Sequence, residues 1–295
     1  MKLLSALALL SSVILAQTFR SNTTLVRAEA LVEENGHVLT GLRSDDFSVL
    51  DEGQPQPIAN FASEPGAIRL VLLLDASGSM QPAARQLAAT GLAALSVLRP
   101  DDMVALMTFD RKATLRVPLT INHSPVIAGV SKIAGKPMGG TTDIYHALSD
   151  AAKYLGGGAT VPNVILILTD NAARADTTET AALHDLWAAS ASVDAMVVSS
   201  APLWDESVSR SLAGTKLQDV RCITDQTGGV ITQTPDVEAA LRRMLERSRT
   251  RYTVFFRQPD LTSGTLRHIK VDLSPAARAK HPGAVVRSRT AYYAE

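Results

Sequence analysis

The sequence predicts an α/β fold: a doubly wound, mostly parallel sheet with helices on both faces, joined to a small β module drawn from the N- and C-terminal segments. Three observations point to it. The runs Ile68–Leu74, Met103–Phe109, Val164–Leu168 and Val193–Val198 are predominantly apolar without alternation, as expected of strands covered on both faces. Apolar residues at helical spacing lie between them, so strand and helix take turns. Outside about residues 67–250 the helical periods stop and short β-like runs broken by Gly and Pro take over.

Taken in order, residues 1–17 (MKLLSALALLSSVILAQ) carry one lysine, an uncharged stretch from Leu3 to Ala16 and a small residue before Gln17. That is the form of a signal peptide, with an N-terminal anchor or a buried helix as the alternative. No cysteine stands at the cleavage position, which argues against a lipoprotein. The expectation is an exported protein, periplasmic or secreted, with no membrane span after cleavage.

Residues 18–66 read as an N-terminal β segment. Asn35-Gly36 is a tight-turn pair between two apolar-rich runs, Glu52-Gly53 marks a second turn, and Glu64-Pro65-Gly66 a boundary. Across 67–250, the strand Ile68–Leu74 is followed by Ala84, Leu87, Ala88, Gly91, Leu95 and Leu98 at helical spacing. Thr114–Leu119 reads as an edge strand, Ile144 to Leu155 as a helix closed by three glycines, and Ala181–Ala191 and Val237–Leu245 as further helices. In 251–295 the runs RYTVFF, LRHIKVDL and AVVRSRTAYY read as strands separated by Pro259, Gly264 and Pro275. The two terminal segments are expected to form one shared module, with two independent appendages as the alternative.

Composition narrows the partners little. Lys plus Arg and Asp plus Glu both number 29, so bulk charge favours neither nucleic acid nor an acidic membrane. The single cysteine, Cys222, excludes an intrachain disulfide and reads as a buried, inert thiol.

The chemistry gathers at strand ends, where open α/β sheets bind ligands. Asp75 ends the first apolar strand, in VLLLDASGSM; Ser77 and Ser79 follow at spacings of two, and Ala76 and Gly78 let the backbone turn. Asp170 ends another strand, in VILILTDN. Gly139-Gly140 leads to Thr141, with Thr142 as the fallback position. These are hard oxygen ligands without histidine or cysteine, a set suited to Mg²⁺, with Mn²⁺ or Ca²⁺ as substitutes. A capped helix start would account for DASGSM alone, but not for GGT and LTD as well. Asp143 reads as a helix cap or first-turn acid, Asp101-Asp102 as a solvated turn, His146 and His184 as surface residues, and Trp187 and Trp204 as packing residues, with a ligand-facing loop as the alternative for Trp204.

DASGSM, GGT and LTD, in this order and on this fold, resemble the metal-ion-dependent adhesion site of von Willebrand factor A domains. The resemblance spans roughly Ala67 to Arg249. It implies hydroxyl ligands from Ser77, Ser79 and Thr141, with Asp75 and Asp170 acting directly or through water. One departure is Asn171, where a glycine often follows the second aspartate; Asn tolerates a left-handed turn, so the site is expected to survive. The flanks, GHVLTGLRSDDFSVLDEGQPQPIANF and RYTVFF with a closing TAYY, are similar to the von Willebrand factor A-related proteins of acidobacteria.

The resulting expectation is a non-enzymatic binding or adhesion module in which a divalent ion captures an Asp or Glu carboxylate of a partner protein. A scaffold with a vestigial metal site is one alternative. A Mg²⁺-dependent hydrolase is another, disfavoured because G-x-x-x-x-G-K-[ST], an aspartyl-phosphate D-x-D and G-x-S-x-G are all missing.

Overall fold

The computed structural model describes residues 24–63, 66–95, 97–174, 177–198, 217–234, 236–259 and 262–294. The signal-like segment 1–17 and Trp204 lie outside the described residues. Apolar strands with no wet face need cover on both sides, and the chain supplies it. Six strands run in the order Ile231–Gln233, Ala191–Val197, Asn163–Thr169, Arg69–Asp75, Met103–Phe109, Ala113–Thr120. The first five are mutually parallel and the last is an antiparallel edge. The α/β class expected from the sequence is the class the chain adopts.

Period-two alternation divides Arg69–Asp75 between two cores. Val71 and Leu73 face helices Ile144–Leu155, Glu179–Ala188 and Val220–Thr227. Leu70, Leu72 and Leu74 face Gln81–Leu95, Ser124–Ala134 and Val237–Arg249. The helix Ser124–Ala134 is absent from the sequence reading. Pro125 fits its first turn, and it buries Val126, Val130 and Ala134. A Cβ on Gly129 would stand 2.6 Å from Leu106 Cδ2, so this glycine lets the helix lie close on the sheet.

The chain ends interleave. Leu25–Glu34 pairs antiparallel with both Tyr252–Arg257 and Val285–Ser288. Phe47–Asp51 pairs with Leu266–Leu273, which also pairs with Ala291–Tyr293. Inward residues of both sheets, including Ala28, Ala30, Phe47, Val49, Val254, Phe256 and Val271, share one core. The hairpin turns fall at Asn35-Gly36 and Glu52-Gly53, all four residues at positive φ.

Four readings are corrected. The run AVVRSRTAYY is two strands in two sheets, because Arg289 and Thr290 turn between them toward the α/β domain. Arg289 donates to the carbonyls of Trp187 and Arg27 and to Ser190 Oγ, and Thr290 N–H donates to the Gln226 carbonyl. Pro275 does not merely separate strands; it opens a short helix, Pro275–Lys280, capped by Ser274. Asp102 is no solvated turn: it is fully buried, accepts from Ile68 and Arg99 N–H, and pairs with Arg249. Cys222 is exposed, because its helix buries Val220, Ile223, Thr224 and Thr227 and turns residue 222 outward.

Candidate functional site

The site begins where Arg69–Asp75 leaves the sheet. Ala76 N–H donates to the Phe109 carbonyl at 2.8 Å, and Ser77 N–H donates to Asp75 Oδ1 at 2.9 Å, which sets the turn. Residues Gly78–Met80 form one 3₁₀ turn before the helix Gln81–Leu95. That turn brings Ser77 Oγ and Ser79 Oγ to 3.1 Å from each other. From the adjacent strand, Ser79 Oγ donates to Asp170 Oδ2 at 2.5 Å, and Thr169 Oγ1 donates to Asp75 Oδ2 at 2.8 Å. Asp75, Ser77, Ser79 and Asp170 thus form one hydrogen-bonded group across two neighbouring strand ends.

The two acids are held differently. Asp75 is 2% exposed, and burial pushes its carboxyl above the usual value; hydrogen bonds from Ser77 and Thr169 oppose this, while the Asp170 charge adds to it. Asp170 is half-buried and accepts the Ala172 N–H through its other oxygen at 3.0 Å.

The Gly139-Gly140 loop docks beside this group. Gly139 N–H donates to the Ala76 carbonyl at 3.0 Å, and Gly140 takes φ 126°, a region open to glycine. Gln81 braces the approach, donating to the Ala134 carbonyl and accepting the Met138 N–H. Thr141 stands exposed on this loop and Thr142 is buried. Thr141 Oγ1 accepts from Arg111 Nε at 2.8 Å, not from any member of the serine–aspartate group. Asp143 caps the helix Ile144–Leu155, accepting the His146 N–H.

Asn171 adopts φ 58° and uses its side chain as glycine could not. Its Nδ2 donates to Asp219 Oδ1 and its Oδ1 accepts the Val220 N–H, tying this strand end to the start of the helix Val220–Thr227. Two supporting residues escaped the sequence reading. Thr169 orients Asp75 from a fully buried strand position. Gln218 accepts the Ile144 and Tyr145 N–H groups and donates to Asp143 Oδ1 and the Thr177 carbonyl. A polar residue ending an apolar strand was the available signal for Thr169; nothing marked Gln218.

Among the described residues no group of three His, Cys, Asp or Glu side chains clusters as a metal site. Any ion at these strand ends would therefore rely on hydroxyl oxygens as well as the two carboxylates.

Residues 70–172 match the family model of the von Willebrand factor type A domain. Similar solved structures include a von Willebrand factor type A protein from Catenulispora acidiphila, at 14% identity and TM-score 0.48, covering 92% of this chain and 74% of that one. An aerotolerance-related membrane protein from Bacteroides fragilis, carrying multiple mutations to serine, is 15% identical with TM-score 0.45, covering 62% and 98%. Proximal thread matrix protein 1 from the mussel byssus, with zinc occupying its MIDAS motif, is 15% identical with TM-score 0.49, covering 67% and 49%. A search of curated proteins returned no significant match.

Proposed function

We propose that Asp75, Ser77, Ser79, Thr141 and Asp170 hold a divalent cation, Mg²⁺ by preference, and that the site captures an Asp or Glu carboxylate of a partner protein. One observation carries this reading. Ser77 Oγ and Ser79 Oγ lie 3.1 Å apart, near the ~2.9 Å between adjacent oxygens around an octahedral Mg²⁺. Asp170, only 2.5 Å from Ser79 Oγ, is closer than two neighbouring ligands sit and suits a water-bridged role. Asp75 acts behind the serines, fixing the Ser77 backbone through one oxygen while Thr169 fixes the other.

When bound, the ion supplies a Lewis-acidic position for an anionic ligand. The chain's contribution is to leave that charge under-neutralised: hydroxyls at the serines and at Thr141, with carboxylates set back. A carboxylate oxygen is the hard, negative group such a position favours. The module belongs outside the cytoplasm on the strength of the signal-like residues 1–17. Among the described residues no helix is long and apolar enough to cross a membrane.

The test is calorimetric titration of Mg²⁺ and Mn²⁺ into the metal-free chain, with Asp75→Ala and Ser79→Ala alongside. Saturable one-site binding lost in both variants is expected. Equal binding by all three proteins would place the ion elsewhere and sink the reading.

A further inference from the structure

Among the described residues, Arg111 is the one charged side chain from outside the proposed ligand set that hydrogen-bonds to it. It lies exposed just past the strand Met103–Phe109, its N–H held by Asp110 Oδ1 and its Nε committed to Thr141 Oγ1. Among the described residues its guanidinium has no carboxylate partner, whereas Arg249, Arg251 and Arg267 each grip a buried aspartate. A hydroxyl oxygen has two lone pairs, and one is taken by the guanidinium. A doubly charged ion on the other would sit next to a fixed positive charge.

We propose that Arg111 is a tethered cation which competes with the metal for Thr141 and is released to pair with the incoming carboxylate, so that metal and carboxylate bind cooperatively. This rests on the metal-site reading above. The guanidinium presents parallel N–H donors that match a carboxylate edge. The ligand therefore gains a second anchor and relieves the repulsion in the same step. Coupling of this kind is reciprocal: whatever factor the carboxylate adds to metal affinity, the metal adds to carboxylate affinity.

The experiment is Mn²⁺ titration of the full chain, with and without saturating acetate, for wild type, Arg111→Gln, Arg111→Lys and Lys280→Gln. Lys280→Gln removes an equal charge on the β module and serves as control. Without acetate, Arg111→Gln is expected to bind Mn²⁺ more tightly than wild type. A unit charge ~6 Å from a dication in water costs about tenfold, and salt reduces this toward threefold. Arg111→Lys and Lys280→Gln should stay near wild type. Acetate should tighten wild-type binding several-fold and Arg111→Gln by a smaller factor, the direct metal–carboxylate contact being left without the arginine's anchor.

A brace for the loop and nothing more would reverse the sign: Arg111→Gln would bind Mn²⁺ more weakly and melt earlier. Equal Mn²⁺ affinity and an equal acetate effect in wild type and Arg111→Gln overturn the proposal while the metal site stands. No binding by any protein, with or without acetate, overturns the metal site and this proposal together.

Discussion

Buried aspartates are held in two ways, with an arginine beside the carboxylate or without one. Asp51, Asp102 and Asp194 each meet an arginine: Arg267 Nε reaches Asp51 at 2.8 Å, Arg249 pairs with Asp102, and Arg251 reaches Asp194 at 3.3 Å. Backbone or hydroxyl donors complete each cage; Asp194 also accepts from Val230 N–H and Ser248 Oγ. Asp75 is nearly as buried, yet its donors are an amide and a threonine hydroxyl, with no cation among them. The first set has its charge cancelled internally and fastens elements together. Among the described residues, Asp75, like the helix-capping Asp143, has no internal cation beside it, and Asp75 lies where the sheet ends.

The largest effect expected from this contrast is in the first set. Arg251→Ala should destabilise the chain by about 3–5 kcal/mol in denaturant unfolding, because it strands a buried Asp194 carboxylate. A small loss would mean that water reaches Asp194. Gly228→Ala tests the neighbouring joint: its φ is 74°, and a Cβ would stand 2.4 Å from the Ser288 carbonyl carbon. A loss of at least about 2 kcal/mol is expected.

Asp75→Asn should do the opposite in the absence of metal. Removing an uncancelled buried charge while keeping its shape should leave unfolding within about 1 kcal/mol of wild type. It should abolish the stabilisation that Mg²⁺ gives, about 2.7 kcal/mol at a hundredfold excess over Kd. A loss as large as that of Arg251→Ala would put Asp75 in the structural set.

The smallest effect concerns pH. Burial raises the Asp272 carboxyl, but hydrogen bonds from Arg278 and the Leu273 N–H, with Lys270 adding to them, outweigh it and hold the group below its usual 3.8. A depressed carboxylate contributes stability that is complete above 3.8 and fades as pH falls through the lower folded-state value. Asp272→Asn should remove that contribution near neutrality, where it is complete, converge with wild type below the folded-state value, and so flatten the acid limb of the stability curve.

The sequence carried the central sheet well, because strands such as Asn163–Thr169 and Ala191–Val197, buried along their whole length, are mostly apolar. The helix Ser124–Ala134 was harder to see. It offers only three buried side chains, one of them an alanine, around a proline and a close-packed glycine. Asp102 misled because a proline and two acids in a row look the same in water as when folded against an arginine 147 residues away. At the candidate site, the positions of Asp75, Ser77, Ser79 and Asp170 follow from strand ends and spacing. The Arg111–Thr141 contact joins separate loops, and no local pattern encodes it.

The interleaved β module has a consequence for how the chain is made. Leu25 finds its register only against Arg257, and Phe47 only against Leu273. A chain emerging from its N-terminus can complete the α/β domain while the strand Leu25–Glu34 still waits as an open edge. Until residues 252–288 have been made, the strand Leu25–Glu34 lacks both of its long partners, Tyr252–Arg257 and Val285–Ser288, so the module is a clasp that synthesis itself leaves open.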